Sequence, residues 1–194
     1  SAGLGECWEL AHGYYKIHAA CRFTHPVLDV LTDLNGRVDP ADVESVTVET
    51  YPAAVRLDET NPENSLQAKF SIPFAVATTL LTGETAPASF EDDAITPEAR
   101  VLAERVDIAV DDEFAARAPD QRGARVTIDT GGETLTRAVT AARGGDEAPF
   151  AEERLQEKFD TLVAPVIGPE RAATLWENAR ALEPPRVLCT LAQR

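Results

Sequence analysis

The sequence predicts an α+β fold: an antiparallel sheet packed by helices and followed by a helical C-terminal tail. Three observations carry this expectation. Short runs around Val46, Val106 and Val126 alternate apolar with polar residues, the period of a half-buried strand. A Gly131-Gly132 pair between two such runs marks a tight hairpin, and therefore antiparallel pairing. Runs with apolar residues three or four apart are interspersed with the strands and dominate the last quarter of the chain, without the regular strand–helix alternation of a parallel sheet.

Taken in order, residues 14–21 (Tyr-Tyr-Lys-Ile-His-Ala-Ala-Cys) read as an extended lead into a helix. Thr24 stands as its N-cap, Val27, Leu28, Leu31 and Leu34 share one face, and Asn35-Gly36 closes it. Val46 and Val48 alternate with Thr47 and Glu49 in a strand that meets Pro52. A second helical stripe carries Leu66, Phe70, Phe74, Ala77 and Leu81 before Gly83. Pro73 inside that stripe means either a kink or a fresh start capped by Ser71. Thr96-Pro97-Glu98 opens a short helix with cap, proline and acid in the favoured places. Val106, Ile108 and Val110, then Val126 and Ile128, give two more strands, and the hairpin places Ile128 opposite Leu135. Residues 111–123, with Pro119 and Gly123, are the most loop-like. In the tail, Leu155, Phe159, Leu162, Val163 and Val166 form one stripe and Gly168-Pro169 breaks it. Ala172, Leu175, Trp176, Ala179 and Leu182 form the next, and Pro184-Pro185 closes it. The expected organisation is one α+β lobe over residues 1–150 with a helical tail over 151–194.

With 194 residues, 44% of them hydrophobic, and two Trp, the chain can bury a core and is not a disordered segment. It has no apolar run near the roughly 20 residues of a membrane span. A net charge of −15 repels nucleic acid and anionic lipid, and no basic run offsets it, so neither is expected as a partner. Cys7, Cys21 and Cys189 are odd in number and lack CxxC spacing, which together with the absence of a signal-peptide pattern suggests a reducing cytoplasm. The sequence contains no Met, which fits a trimmed start or a piece of something longer. Three Lys against fifteen Arg fit either a high-salt cytoplasm or a GC-rich genome. Nucleotide, hydrolase and zinc motifs are missing, so neither a metal nor a nucleotide is expected. His12, His18 and His25, six and seven residues apart, do not share a face of one regular element.

The positive charge is placed unevenly. Lys16, His18, Arg22 and His25 fall within ten residues at the first helix start, and Lys69 lies beside Ser71. Helix starts with nearby cations suit a small carboxylate or phosphate. Local spacing alone favours a solvated face on which Lys16 and Arg22 pair with surrounding acids.

At these residues the sequence resembles the MmgE/PrpD family. Tyr15-Lys16 through Cys21-Arg22-Phe23-Thr24-His25-Pro26 is similar to the family's Lys-containing segment, and Gln67-Ala68-Lys69-Phe70-Ser71-Ile72-Pro73-Phe74 to its helix-opening QAKFSLPY run. Gly131-Gly132-Glu133 and Lys158-Phe159 resemble its hairpin and the helix after it. The ordered set covers about residues 14–182 and corresponds to the family's smaller α+β lobe, whose helical tail packs back toward a larger helical lobe. The resemblance implies a metal-free and cofactor-free lyase or isomerase of small polycarboxylates, 2-methylcitrate dehydration among its reactions, with the active site between lobes. It implies Lys16 as the active-site Lys holding a substrate carboxylate, with Arg22, Thr24, His25, Cys21, Lys69 and Ser71 as substrate-binding or supporting residues. Two positions depart from the pattern: Cys21 stands where some members have His, and Phe74 where several have Tyr. Phe70 and Phe74 also fit a plain core stripe. The implied partners are a helical larger-lobe segment or subunit and further copies of the chain. The alternatives are a non-catalytic anion-binding or oligomerisation domain, or a truncated remnant.

Overall fold

The computed structural model of the protein describes residues 13–145 and 147–181. The expectations at Cys7, His12, Leu182, Pro184-Pro185 and Cys189 lie outside the described residues. The chain divides after Pro149 into two compact units, and the fold is α+β.

The first unit is built on a four-stranded sheet. Its strands are β1 (Ser45–Thr50), β2 (Val106–Val110), β3 (Ala124–Asp129) and β4 (Thr134–Val139), in the order β2-β1-β3-β4. The expected alternation is present: Val46, Val48 and Thr50 of β1, and Ala124, Val126 and Ile128 of β3, are buried on one face. The β3–β4 hairpin pairs Ile128 with Leu135. Thr130 and Glu133 close it by a backbone hydrogen bond of 3.0 Å, and Gly131 takes a left-handed φ of 72° at its tip, a conformation that glycine adopts without a steric cost. One pairing departs from an all-antiparallel sheet: β1 and β2 are parallel, in the register Val46↔Val106. The connection between them holds three helices, long enough to carry the chain back to the starting end, as a parallel pair requires.

Helix α1 (His25–Asp33) packs against β3 and β4, with Val27, Leu28, Val30 and Leu31 buried. Thr24 precedes it but makes no side-chain cap. The residue sits in a 3-10 turn, Arg22–Thr24, with helical backbone angles, so its hydroxyl donates back to the Cys21 carbonyl at 2.8 Å.

The second predicted stripe resolves into two helices, α2 (Ser65–Lys69) and α3 (Ile72–Thr82). Ser71 restarts the chain: its hydroxyl accepts from the Phe74 amide at 2.9 Å and donates to the Glu59 carbonyl, while Pro73 occupies the first turn where its missing N–H costs nothing. The break removes Leu66 and Phe70 from the core stripe, leaving them 66% and 50% exposed. Helix α3 is instead buried over eight consecutive residues, Ile72 to Thr79, the pattern of a helix covered on all sides rather than on one stripe. It packs between α1 and α4 (Pro97–Ala103), the latter capped by Thr96 through the Ala99 amide at 3.2 Å.

Residues 111–123 hold a short helix, α5 (Asp112–Arg117), where a loop is predicted. Asp111 accepts from the amides of Glu113 and Phe114, and Phe114 is buried. An Asp cap and one apolar anchor outweigh the polar composition that suggests a loop.

The second unit is an α-hairpin of α6 (Glu152–Ile167) and α7 (Pro169–Arg180), turned at Gly168 with φ of 86°. Phe159 meets Trp176 at 5.2 Å between ring centres, Ala172 is buried between the helices, and Arg180 pairs with Glu152 to join their far ends. Leu162, Val166 and Leu175 of the predicted stripes remain exposed.

The split of the stripe at Ser71 has a measurable consequence. Phe74→Ala, emptying a fully buried ring site, should lower the urea-unfolding free energy by about 3–5 kcal/mol. Phe70→Ala, half-exposed beyond the break, should change it by less than about 0.5 kcal/mol. Comparable losses at both positions would restore the single stripe.

Candidate functional site

The segment carrying Lys16 forms no strand. It is held by three backbone hydrogen bonds to three separate stretches: Tyr15 N–H to the Gly144 carbonyl (2.9 Å), Ala19 N–H to the Thr85 carbonyl (2.9 Å) and Cys21 N–H to the Lys69 carbonyl (2.8 Å). An irregular segment lying on a core must find such partners one by one. Lys16 itself is exposed in the middle of this pinned stretch.

Below it lies a buried polar cluster. His18 is 3% exposed; its Nε2 donates to Asp29 Oδ1 at 3.1 Å and its Nδ1 lies 2.7 Å from the Thr85 hydroxyl. The carboxylate on one side and the hydroxyl on the other fix the orientation of the ring. The other Asp29 oxygen accepts from the Arg143 backbone N–H at 2.8 Å. His25 packs edge-on against His18, 5.0 Å between ring centres. His25 Nε2 faces the Ala20 carbonyl at 3.4 Å and its Nδ1 receives Arg22 Nη1 at 3.2 Å. Burial, then the neighbouring His18 and Arg22, with a smaller effect from Lys16, drive His25 down to about 2. It is therefore a neutral acceptor for Arg22 and not a cation.

Arg22 is used inward. Nη1 donates to the Arg143 carbonyl (2.8 Å), Nη2 to the Ala142 carbonyl (3.0 Å), and the guanidinium stacks 4.2 Å over the Tyr14 ring. Beside it opens a cleft of about 320 Å³, whose wall includes Tyr14, Arg22, Arg122, Asp120 and Glu147.

The structure thus brings Lys16, Cys21, Arg22, Thr24 and His25 into one pinned segment, with Thr24 and His25 buried and their polar atoms bonded within the protein. It does not bring the other two side chains there. The Lys69 ammonium pairs with Glu91 at 2.9 Å, and the Ser71 hydroxyl is taken up in capping α3. Sequence spacing separates His18 from His25, but the turn at 22–24 folds them together. Sequence reasoning does not reach Asp29, Thr85, Arg143 or Arg122. Asp29 had a signal, an acid four residues after His25 within an otherwise apolar helix face; Arg122 had none. Among the described residues no group of three or more His, Cys, Asp or Glu is placed to hold a metal, and no helix is long and apolar enough to cross a membrane.

Comparison with known proteins gives two findings. The MmgE/PrpD C-terminal domain matches residues 18–183, a stretch that begins two residues after Lys16. The chain is also similar to cis-aconitate decarboxylase of Aspergillus terreus, 25% identical over 197 aligned positions that cover 94% of this chain and 40% of that protein. The chain spans well under half the length of this relative.

The cluster makes stability depend on acid in a definite direction. An unfolded chain protonates His25 near 6.5, whereas the folded protein keeps it neutral down to about 2, so unfolding takes up a proton between those values. The contribution is complete above about pH 6.5 and lost as pH falls, by up to about 1.4 kcal/mol per unit. In urea unfolding across a pH series, His25→Gln should flatten the acid slope by about one proton. Identical slopes would mean that His25 is not held neutral by the fold.

Proposed function

The chain belongs to the MmgE/PrpD family through its C-terminal domain, and from that premise we propose that it forms the carboxylate-binding wall of a lyase or isomerase acting on a small polycarboxylate. The observation that carries this reading is the exposure of Lys16 in the middle of a segment fixed on both sides by backbone hydrogen bonds. A lysine carried on a pinned backbone suits carboxylate recognition, because only the side chain is left to be ordered when the ligand arrives. In this role Lys16 pairs with a substrate carboxylate and stabilises the negative charge that builds on it as the adjacent C–H or C–C bond breaks. The acid and base that move protons come from a helical segment or subunit that completes the site.

Dehydration of a 2-methylcitrate-like substrate is the reaction we favour over decarboxylation of cis-aconitate, the reaction in the relative's name. Cys21 is half-buried with its N–H bonded to Lys69, and Phe74 lies wholly inside the core. Neither offers the imidazole or phenol that other family members present at these positions. A site built on a single exposed ammonium suits loss of water assisted by a partner's acid better than a step that needs an extra proton donor here.

The test uses the chain together with the helical segment that completes it. Lys16→Ala should weaken citrate binding by about 1–3 kcal/mol, the scale of a charge-assisted contact, and leave the melting temperature unchanged. The completed protein should release water from 2-methylcitrate faster than carbon dioxide from cis-aconitate. Equal citrate affinity in both proteins would remove Lys16 from the site, and faster carbon dioxide release would reverse the choice of reaction.

A further inference from the structure

The turn that ends α1 leaves one asparagine in a different state from the others. The chain has four: Asn35, Asn61, Asn64 and Asn178. Three are engaged or blocked. Asn61 precedes Pro62, whose nitrogen carries no hydrogen, and its side chain accepts from Arg100. Asn64 caps α2 by accepting from the Gln67 amide at 3.0 Å, and the amide that follows it, Ser65 N–H, donates to Asp92 at 2.6 Å. Asn178 lies inside α7, where the following amide belongs to the helical hydrogen-bond ladder.

Asn35 is followed by Gly36, and both residues are exposed. Among the described residues the Asn35 carboxamide makes no hydrogen bond and the Gly36 N–H reaches no acceptor. The bonds of the turn run elsewhere, from Asn35 N–H to the Thr32 carbonyl at 3.4 Å and from Arg37 N–H to the Leu34 carbonyl at 3.0 Å. Gly36 holds a left-handed φ of 73°, and nothing lies within 4 Å of where a Cβ would stand on it. An unshielded amide nitrogen beside an uncommitted carboxamide is the arrangement in which a main chain can attack its own side chain. The same carboxamide rests against Gly83, the residue that ends α3: a Cβ there would stand 2.8 Å from Asn35 Nδ2. Asn35 therefore sits where the C-terminal ends of α1 and α3 meet, the negative ends of two helix dipoles.

We propose that Asn35 is a self-modification site, at which the chain loses ammonia without an enzyme. The Gly36 nitrogen gives up its proton and bonds to Asn35 Cγ. The Cγ–Nδ2 bond breaks, and Nδ2 takes up a proton and leaves as ammonia. Water then opens the cyclic imide at either carbonyl, leaving aspartate or, with the main chain rerouted through the former side chain, isoaspartate. Nothing is oxidised or reduced. Either product adds a negative charge beside the C-terminal ends of α1 and α3, where the dipoles disfavour it, and so weakens the joint between those helices. The reaction is independent of the Lys16 reading and needs no substrate.

Ageing the 194-residue chain at mildly alkaline pH, folded and in parallel unfolded in urea, tests the site. Each asparagine is followed by peptide mass spectrometry, with isoaspartate assigned by fragmentation. Folded Asn35 should convert within a few-fold of its rate in urea, whereas Asn64 and Asn178 should stay amides until the chain unfolds. Protection of Asn35 by folding as strong as that of Asn64 would overturn the proposal. Conversion to aspartate with no isoaspartate would also overturn it, because direct hydrolysis does not pass through the Gly36 nitrogen. For the effect on the helices, Asn35→Asp should lower the melting temperature by about 1–4 °C at low salt, and the loss should shrink as salt screens the dipoles. An unchanged melting temperature at low salt, or a loss that salt does not reduce, would overturn the weakening of the joint.

Discussion

A carboxylate buried in a helix must be answered at both oxygens, and Asp29 is answered by two stretches of chain that are otherwise unconnected. One oxygen accepts from His18, in the segment ahead of α1, and the other from the backbone of Arg143, far downstream after β4. Leaving either oxygen without a donor costs several kcal/mol in a site this dry. The helix, the Lys16 segment and the loop after the sheet therefore have one mutually consistent placement. Arg22 adds to the same joint by donating to the carbonyls of Ala142 and Arg143. Polar groups fix what apolar packing of small residues such as Ala19 and Ala20 would leave loose, and they do so where the Lys16 side chain is exposed.

This joint explains which features were legible in the sequence and which were not. Strand alternation around Val46 and Val126, the hairpin at Gly131-Gly132 and the cap at Thr96 depend on neighbours only a few residues away, and the structure follows them. The parallel β1–β2 pair, by contrast, depends on three helices that carry the chain back, and no local pattern records it. The stripe through Leu66 and Phe74 shows the same limit. Periodicity continues across the Ser71 break, but the buried hydroxyl and Pro73 end one helix and begin another, so one half of the stripe enters the core and the other does not. At the site, Lys16 and Arg22 were visible as cations near a helix start. The meeting of His18 with His25 depends on a 3-10 turn, and Arg122, in the loop before β3, has no signature beyond being one arginine among fifteen.

The charge distribution has a second level. With so few lysines, ordering is left to guanidiniums, whose planar donors reach two or three acceptors at once. Arg125 joins Glu49 and Asp111, tying β3 to β1 and to the cap of α5. Its carboxylate partner Asp111 is held below the usual carboxylate range chiefly by that side-chain hydrogen bond. Such exposed pairs add little stability each, yet they place charge in register. The acidic excess is spread over the surface while the cations mark joints between elements.

The strand order has a consequence for contact between molecules. In the order β2-β1-β3-β4, the most apolar strands are interior, and among the described residues the border strands are short, of five and six residues. Each border carries a charged side chain within the strand, Asp107 on one and Arg137 on the other. Backbone N–H and C=O groups along such borders are poor templates for recruiting another chain, since a charge must be buried or bypassed at every added strand. The sheet therefore resists growth into ribbons, and association between copies is left to side chains on the faces of the lobe.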